Sequence, residues 1–189
     1  MAFNFFKKKK KKEDKPHYDP TNIQITDLRV GFFVDYDLKT WEVAEEYEYD
    51  WGDSEFTFEF QLVAGDDMCF LSIDKEDGLT LVISKKIKLN RLDPELSDRI
   101  IKKGKPFKKI KYKGTTYYRE NEAVGFYRNT ATTKSEKSQE MIAWDYFDDE
   151  EKKTITIEQW EDEFFEASIG IVVPEYEFMN ITPAGDNIL

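Results

Sequence analysis

The chain has 189 residues with a formal net charge of −11, and 35% of the residues are charged and 15% are aromatic. This length can bury a core as one domain or as two small lobes, and the high aromatic content is not typical of a disordered chain. No apolar run approaches the roughly 18 residues that span a bilayer, and the single cysteine, Cys69, excludes an internal disulfide. We therefore expect a cytoplasmic protein.

Residues 1–20 are predicted to form a flexible arm, because consecutive lysines repel one another and prolines follow them. The apolar residues of the arm precede its lysines, which is the wrong order for a secretory signal peptide. Such an arm can contact an anionic membrane surface or an acidic protein partner, or it can be plain disorder. The candidate contact residues are Phe3, Phe5, Phe6, Lys7, Lys8, Lys9, Lys10, Lys11 and Lys12.

Residues 21–92 are predicted to form a first β lobe. Apolar and polar residues alternate over 41–51 and again over 55–62, and a period of two is typical of strands. A second hairpin is predicted from residues 68–73 and 79–84, which flank a polar turn. Because one face of these strands is apolar and the other is polar, we expect an antiparallel sheet with one face in water.

A linking helix is predicted over residues 93–105, with its helical residues at about 94–103. Asp93 can cap the free amides at its start, and Pro94 fits the first helical turn. Gly104, followed by Pro106, ends the helix.

Residues 106–181 are predicted to form a second β lobe, followed by a tail at 182–189. The predicted strands cover 107–113, 115–121, 123–129, 140–147, 153–160 and 169–173. Residues 39–45 weakly resemble residues 114–120, which suggests duplicated lobes, with chance similarity as the alternative. The predicted fold class is therefore all-β and mainly antiparallel, with two small lobes joined by one short helix.

Several short motifs, taken in their order along the chain, resemble one protein family. They are Asp27-Leu28-Arg29-Val30-Gly31, Trp41-Glu42-Val43, Glu59-Phe60-Gln61-Leu62, Phe70-Leu71-Ser72-Ile73, Tyr112-Lys113-Gly114-Thr115-Thr116-Tyr117, Glu122-Ala123, Trp144-Asp145-Tyr146 and Ile157-Glu158-Gln159-Trp160, with a later Gly170. Over about residues 23–181 the chain resembles the bacterial domain-of-unknown-function family 4178, with Phe70 where that family usually carries Trp. The resemblance implies a bacterial source and no established activity. Because family members tend to be encoded near homologues of phage-shock protein A, a membrane-associated coiled-coil protein, it also implies a membrane-stress role by analogy.

No residue is predicted to be catalytic. His17 is the only histidine and lies in the arm, where nothing predicts the second group that a triad or a zinc site needs. Cys69 lies between Met68 and Phe70 in an apolar strand, where a small buried thiol is the usual finding. No glycine-rich phosphate loop or dinucleotide fingerprint is present, so no cofactor is predicted.

Three groups of carboxylates have the oxygen chemistry that a hard cation prefers: Asp35 with Asp37, Asp66 with Asp67, and residues 145–151, which include Asp145 and Asp148. Aspartates also collect at hairpin tips, because they bond their own backbone and tolerate left-handed conformations. These three groups have neither the ligand spacing nor the closing glutamate of the best-known calcium-binding loop. We therefore predict solvated turns and no metal site.

One candidate ligand pocket combines aromatic side chains with a carboxylate, an arrangement that suits a cationic ligand. Its residues are Trp144, Tyr146, Glu158 and Trp160. The alternative is a core of aromatic cross-strand pairs with no ligand.

Positive charge is concentrated in two segments of an otherwise acidic chain. Residues 1–15 hold seven lysines against two acids, and residues 99–113 hold eight basic residues and no acid, so the remainder carries −24. Nucleic acid is therefore not expected as a partner. Lys109, Lys111 and Lys113 are predicted to form an exposed stripe that contacts a partner or membrane, or that is simply a solvated strand face.

These observations predict a non-enzymatic binding or scaffold module, with an unidentified protein partner and a polybasic arm attracted to the inner face of the membrane. The resemblance adds an accessory role in a bacterial membrane-stress system. The alternatives are a sensor of a small cationic ligand with an acidic aromatic pocket, and an undetected hydrolase.

Overall fold

The computed structural model describes residues 18–76, 78–161, 163–183 and 185, and for Glu161 the backbone only. All strand pairings among these residues are antiparallel, which confirms the all-β prediction. The strands are β1 (Phe33–Tyr36), β2 (Lys39–Gly52), β3 (Glu55–Ala64), β4 (Asp67–Asp74), β5 (Thr80–Ile87), β6 (Lys109–Tyr112), β7 (Thr115–Asn129), β8 (Gln139–Asp148), β9 (Lys153–Glu161), β10 (Phe164–Val172) and β11 (Met179–Thr182). The α-helices are α1 (Leu89–Leu92) and α2 (Leu96–Lys103), and α2 lies where the linking helix was predicted. Within the described part of the chain, no helix has the length and apolarity that a membrane crossing requires.

The strands form one continuous sheet in the order β11-β1-β2-β3-β4-β5-β10-β9-β8-β7-β6. The sheet closes on itself because β2 also pairs with β7, from Tyr47 opposite Asn129 to Asp50 opposite Phe126. Eight strands, β2–β5 and β7–β10, thus form a closed barrel, and β1, β11 and β6 extend beyond it.

The two predicted lobes, residues 21–92 and 106–181, contribute the two halves of one closed barrel. Strands β1–β5 and β6–β10 each form a contiguous half of the sheet, but the halves join through β5–β10 and β2–β7 into one barrel. A half of this kind leaves strand edges unpaired, and edge-to-edge pairing of the two halves satisfies those backbone groups. The weak repeat between the halves stays a prediction.

Most of the buried apolar side chains of the barrel lie on the outside, where other elements cover them. On β2–β5 the outer face packs against β1, β11 and the segments that flank them. On β7–β10 the outer face packs against α1, α2 and β6. The first core includes Ile25, Leu28, Val34, Trp41, Phe60, Leu62, Leu71, Ile73 and Phe178, and the second includes Leu92, Leu96, Ile100, Ile110, Trp144, Tyr146, Ile155 and Ile157.

Strand alternation explains why the barrel interior is polar. Successive side chains on a strand point to opposite faces, so apolar residues on the outer face put their polar neighbours inside. On β3, Phe60 and Leu62 are buried in the first outer core, and Glu59 faces the interior. The face that was expected to lie in water is therefore the lining of a closed barrel.

Strand β2 changes faces at a β-bulge. Val43 pairs with Leu62 and Glu45 pairs with Gln61, so Ala44 is an extra residue without an opposite partner. Before the bulge, Trp41 and Val43 lie in the first outer core. After it, the same odd-numbered positions face inwards, which brings the aromatic half of β2 into the barrel.

Candidate functional site

The interior of the barrel contains a cavity of about 930 Å³. This volume lies within the range of small-molecule sites, and eight-stranded barrels are wide enough to hold one small ligand. The β2–β3 and β4–β5 turns form its mouth, with Ser54 and Lys75 among the mouth residues. The polar residues on its wall include Glu59, Ser72, Asp145, Thr156, Glu158 and Ser168.

Glu59 on β3 and Glu158 on β9 form an inner carboxyl pair that Tyr49 of β2 bridges. The Tyr49 hydroxyl lies 3.3 Å from Glu59 Oε1 and 3.3 Å from Glu158 Oε1. A phenol has one proton to donate, so both contacts are hydrogen bonds only when one carboxyl is protonated and donates to the tyrosine oxygen. The geometry therefore favours one shared proton on the pair.

Electrostatics point in the same direction for the inner carboxyl pair. Burial raises the pKa of Glu158 to about 7, with the Lys86 ammonium opposing the rise and the Glu59 carboxylate adding to it. Burial also raises the pKa of Glu59, opposed by Lys86 and by hydrogen bonds from Ser72 and Tyr49. Two buried carboxyls that face each other cannot both ionise without a further cation.

Lys86 on β5 is the cation beside this pair. Its Nζ lies 2.8 Å from Glu166 Oε2 and 3.4 Å from Glu158 Oε2, and it also stands 5.4 Å from the centre of the Phe70 ring. Burial alone would lower the pKa of Lys86, but the charges of Glu158 and Glu59 outweigh it and raise the pKa. One ammonium thus serves three carboxyl groups, so this end of the cavity keeps an excess of acid.

Asp74 and Asp145 form an outer carboxyl pair, nearer the mouth. Asp145 lies opposite Thr156 on β9, two residues from Glu158 towards the mouth, and Asp74 lies two residues beyond Ser72, which pairs with Glu59. The Asp145 carboxylate accepts hydrogen bonds from Thr156 at 2.9 Å and from Asn121 at 3.4 Å. Burial nevertheless raises the pKa of Asp145, and the charge of Asp74 adds to the rise.

Two residues on the wall carry hydroxyl groups that have no described hydrogen-bond partner. Ser84 and Thr154 line the cavity, each is only 6% exposed, and neither hydrogen-bonds to another described residue. They lie on either side of Gly170, which pairs with both. A Cβ at Gly170 would stand 2.6 Å from Thr154 Oγ1, so glycine leaves the space that these hydroxyls face. Buried polar groups of this kind normally bond to water or to a ligand.

An aromatic cluster closes the interior beside the inner carboxyl pair. Tyr127 lies 4.6 Å from Trp160 and 5.2 Å from Tyr49, measured between ring centres. Trp51 stacks on Tyr49 at 5.7 Å. The faces of these rings carry negative electrostatic potential and attract cations.

The predicted ligand pocket is divided by the sheet. Glu158 and Trp160 lie on the inner face of β9, but Trp144 and Tyr146 are fully buried in the second outer core. The reason is the strand register, because Glu158 pairs with Ala143 and Trp144 pairs with Ile157. Tyr146 has a structural contact instead, since its hydroxyl donates a hydrogen bond to the Phe107 carbonyl at 2.7 Å.

The aspartates predicted to lie in solvated turns have different surroundings. Asp35 accepts hydrogen bonds from Thr40 at 2.5 Å and from Asn180 at 2.7 Å, in the β1–β2 hairpin. Asp148 accepts from the backbone amides of residues 152 and 153 in a turn. The expectation is wrong for Asp145, which lies in the middle of β8 and faces the barrel interior. Among the described residues, no group of three or more His, Cys, Asp and Glu has an arrangement that could hold a metal ion.

The remaining candidates lie away from the cavity. Lys109 and Lys111 are exposed on the edge strand β6 on either side of the buried Ile110, and Lys113 is exposed in the β6–β7 turn. Lysines on an edge strand also hinder unwanted strand pairing. The arm residues Phe3, Phe5, Phe6 and Lys7–Lys12, and also His17, lie outside the described residues.

Cys69 is buried in the first outer core, and burial raises the pKa of its thiol to about 11. The thiolate that a nucleophile needs is therefore disfavoured.

Comparison with known proteins places this barrel in a family. A family model described as "Domain of unknown function (DUF4178)" matches residues 29–175, which is most of the chain. The chain belongs to the DUF4178 family. This confirms the resemblance that the ordered motifs indicated. The chain is also similar to an uncharacterised protein of Aquifex aeolicus (strain VF5), with 27% identity over 173 residues that cover 92% of this chain and 93% of the relative. No solved structure matches the chain.

The sequence interpretation missed most residues that line the cavity of this DUF4178 protein. Glu59 stands on the polar face of a plain period-two strand, which reads as a solvated surface, and Tyr49 stands on the aromatic side of β2, which reads as part of the core. The signal that could have identified them is that nearly every strand has such a polar face. A closed barrel is the arrangement in which all these faces meet.

Proposed function

We propose that this protein is a non-enzymatic binding module whose barrel interior takes a small cationic ligand. The observation that carries the proposal is the charge of the cavity wall, where six of the seven charged residues that the structure describes there are acidic. The acids are Glu55, Glu59, Asp74, Glu76, Asp145 and Glu158, and the seventh residue is Lys75. Burying several carboxylates in one cavity is unfavourable unless a cation accompanies them.

The cavity has the other features that a ligand site needs. Ser84 and Thr154 offer hydroxyls that bond to no other described residue, and Tyr49 and Trp51 of the aromatic cluster line the cavity with their rings. A protonated amine is a compact donor with three N–H groups, which matches carboxylates, hydroxyl oxygens and aromatic faces together. An anionic ligand would meet like charge on the cavity wall.

The sequence suggested a sensor of a small cation as an alternative function. The proposal keeps this function but assigns it a different set of candidate ligand contacts. Glu158 and Trp160 remain, and Glu59, Tyr49 and Asp145 replace Trp144 and Tyr146 as candidate contacts. The accessory role in a bacterial membrane-stress system, with a protein partner and a membrane-attracted arm, rests on the resemblance and on the sequence of residues 1–15. It stands beside the binding proposal as a further hypothesis.

The proposal is tested by urea unfolding of the full chain at pH 7.5 with a panel of organic cations, neutral polyols and organic anions of similar size. A ligand that binds the folded chain alone stabilises it by about 2.7 kcal/mol at a concentration of 100 times Kd. We expect that only cations raise the free energy of unfolding, and that Glu158→Gln reduces the effect. The exposed Glu150 provides the matched control, Glu150→Gln, which should leave the effect unchanged. Equal stabilisation by anions or polyols, or none by any cation, would refute the proposal.

A second candidate function, hydrolysis, is favoured by the inner carboxyl pair. Two carboxyls on either side of a cleft, one of them with a pKa near 7, are the acid and base of many hydrolases. Lys86 argues against it, because its ion pair with Glu158 occupies the group that would deliver the proton. Turnover of chromogenic glycosides or esters that is abolished by Glu158→Gln would favour hydrolysis over binding.

A further inference from the structure

We propose that the ligand of the barrel is a linear diamine, with one ammonium at the inner carboxyl pair and the other at the outer carboxyl pair. The inference rests on the proposed function and specifies its ligand class. It depends on the two tiers of carboxylates, Glu59 with Glu158 and Asp74 with Asp145, which occupy successive inward positions along the same walls.

The strand register sets the spacing of the two tiers. On the β8–β9 wall, Asp145 lies opposite Thr156, and Glu158 is two residues further along β9. Two residues of a strand span about 6.7 Å. In an extended chain of four methylene groups the two terminal nitrogens are about 6 Å apart, from bond lengths near 1.5 Å, and a fifth methylene adds about 1 Å. The nitrogens of a diamine of four or five carbons are therefore about as far apart as the two tiers are along the strands.

The charges at each tier also favour two cationic centres. At the inner tier one ammonium, that of Lys86, stands beside three carboxyl groups, since it forms ion pairs with Glu158 and Glu166 and its charge also acts on Glu59. At the outer tier the hydrogen bonds that Asp145 accepts from described side chains come from neutral Thr156 and Asn121. A monoamine neutralises one tier and leaves a buried carboxylate unpaired at the other, and a diamine serves both.

The β7 and β8 walls beside the inner tier have room for part of an uncharged linker. Ala143 lies beside Glu158 on the inward face of β8, and Ala123 lies opposite it on β7. Their short apolar side chains leave room for methylene groups. Ser84 and Thr154 face the same cavity and accept remaining N–H donors.

The test is calorimetric titration of the full chain with 1,4-diaminobutane, 1-aminobutane and 1,2-diaminoethane at physiological salt. We expect 1,4-diaminobutane to bind at least tenfold more tightly than 1-aminobutane, because only the diamine pairs with both tiers. The two-carbon diamine should bind no better than the monoamine, since its nitrogens cannot span them.

Substitution at the outer tier tests the position of the second ammonium. Asp145→Asn keeps an oxygen that can accept from Thr156, and it should lower the affinity for 1,4-diaminobutane about tenfold while the affinity for 1-aminobutane is unchanged. Asp74→Asn serves as the second variant and should act in the same sense. Asp149→Asn, at an exposed turn position, removes the same charge from the outside and should change neither affinity.

The outcomes separate this inference from the proposed function. If the monoamine and the diamine bind equally well, the two-tier inference is wrong and the proposal of a cation site stands. If neither amine binds, both are wrong. Equal loss of diamine affinity in Asp149→Asn and Asp145→Asn would assign the binding to general charge attraction and overturn the inference.

Discussion

Glu158→Gln tests the electrostatics of the barrel interior through the pH dependence of stability. Glu158 is 7% exposed, and burial among Glu59, Glu166 and Lys86 raises its pKa from 4.5 to about 7. In the unfolded chain its pKa is near the ordinary value, so between about pH 4.5 and pH 7 the folded protein binds a proton that the unfolded chain has lost. The contribution of this group is therefore greatest at low pH and is lost as pH rises through 7.

The size of the effect follows from the shift. A displacement of about 2.5 pH units corresponds to about 3 kcal/mol, at 1.36 kcal/mol per unit. This value is a ceiling, because Glu59 titrates together with Glu158 and its pKa falls once the neighbouring carboxylate is removed. Glutamine resembles the protonated carboxyl in shape and does not titrate, so the variant lacks this pH dependence.

The assay is urea unfolding of the wild type and Glu158→Gln at intervals from pH 4 to pH 8.5. We expect the wild type to lose up to about 3 kcal/mol relative to the variant as the pH rises across this range. Glu150→Gln, which removes a carboxyl in contact with Lys152 at the exposed β8–β9 turn, serves as the control and should follow the wild type. Parallel profiles for the wild type and Glu158→Gln would refute the assignment of a raised pKa to Glu158.

Two further predictions concern the barrel wall and the arm. Gly170→Ala should lower the free energy of unfolding by about 1–3 kcal/mol in urea titrations, because the alanine Cβ would stand 2.6 Å from Thr154 Oγ1 and 2.8 Å from Val82 Cγ1. An unchanged urea midpoint would contradict the close packing at this position. Deleting residues 1–15 should abolish co-sedimentation with phosphatidylglycerol vesicles at low salt, since six lysines contribute at most about 6 kcal/mol at an anionic surface. If the full chain and the deletion variant pellet equally, the arm is no membrane anchor.

Local sequence patterns predicted most of the strands because each strand here is amphipathic by itself. The predicted strands over 41–51, 55–62 and 153–160 lie within β2, β3 and β9, and α2 follows Asp93 and Pro94 as expected. Strand β7 is one long strand where two were predicted, and β1 and β11 were missed. Both strands have only four residues, which is too short for a clear period of two.

The candidate site depended on information that local patterns do not contain. Whether a polar face lies in water or inside a barrel is decided by the pairing of β2 with β7 and of β5 with β10, which are distant in the sequence. The partners of Glu158 depend on register, and a difference of one residue replaces Trp144 by Ala143 as its neighbour. The bulge at Ala44 likewise decides that Tyr49 faces inwards.

The central claim is that the polar interior of the barrel is the ligand site. The most direct test is a crystal structure of the full chain grown with 1,4-diaminobutane. We expect one diamine inside the barrel, with a nitrogen about 3 Å from a carboxyl oxygen of Glu59 or Glu158 and the other beside Asp145. A barrel that contains water alone, with the diamine bound only on the outer surface, would contradict it.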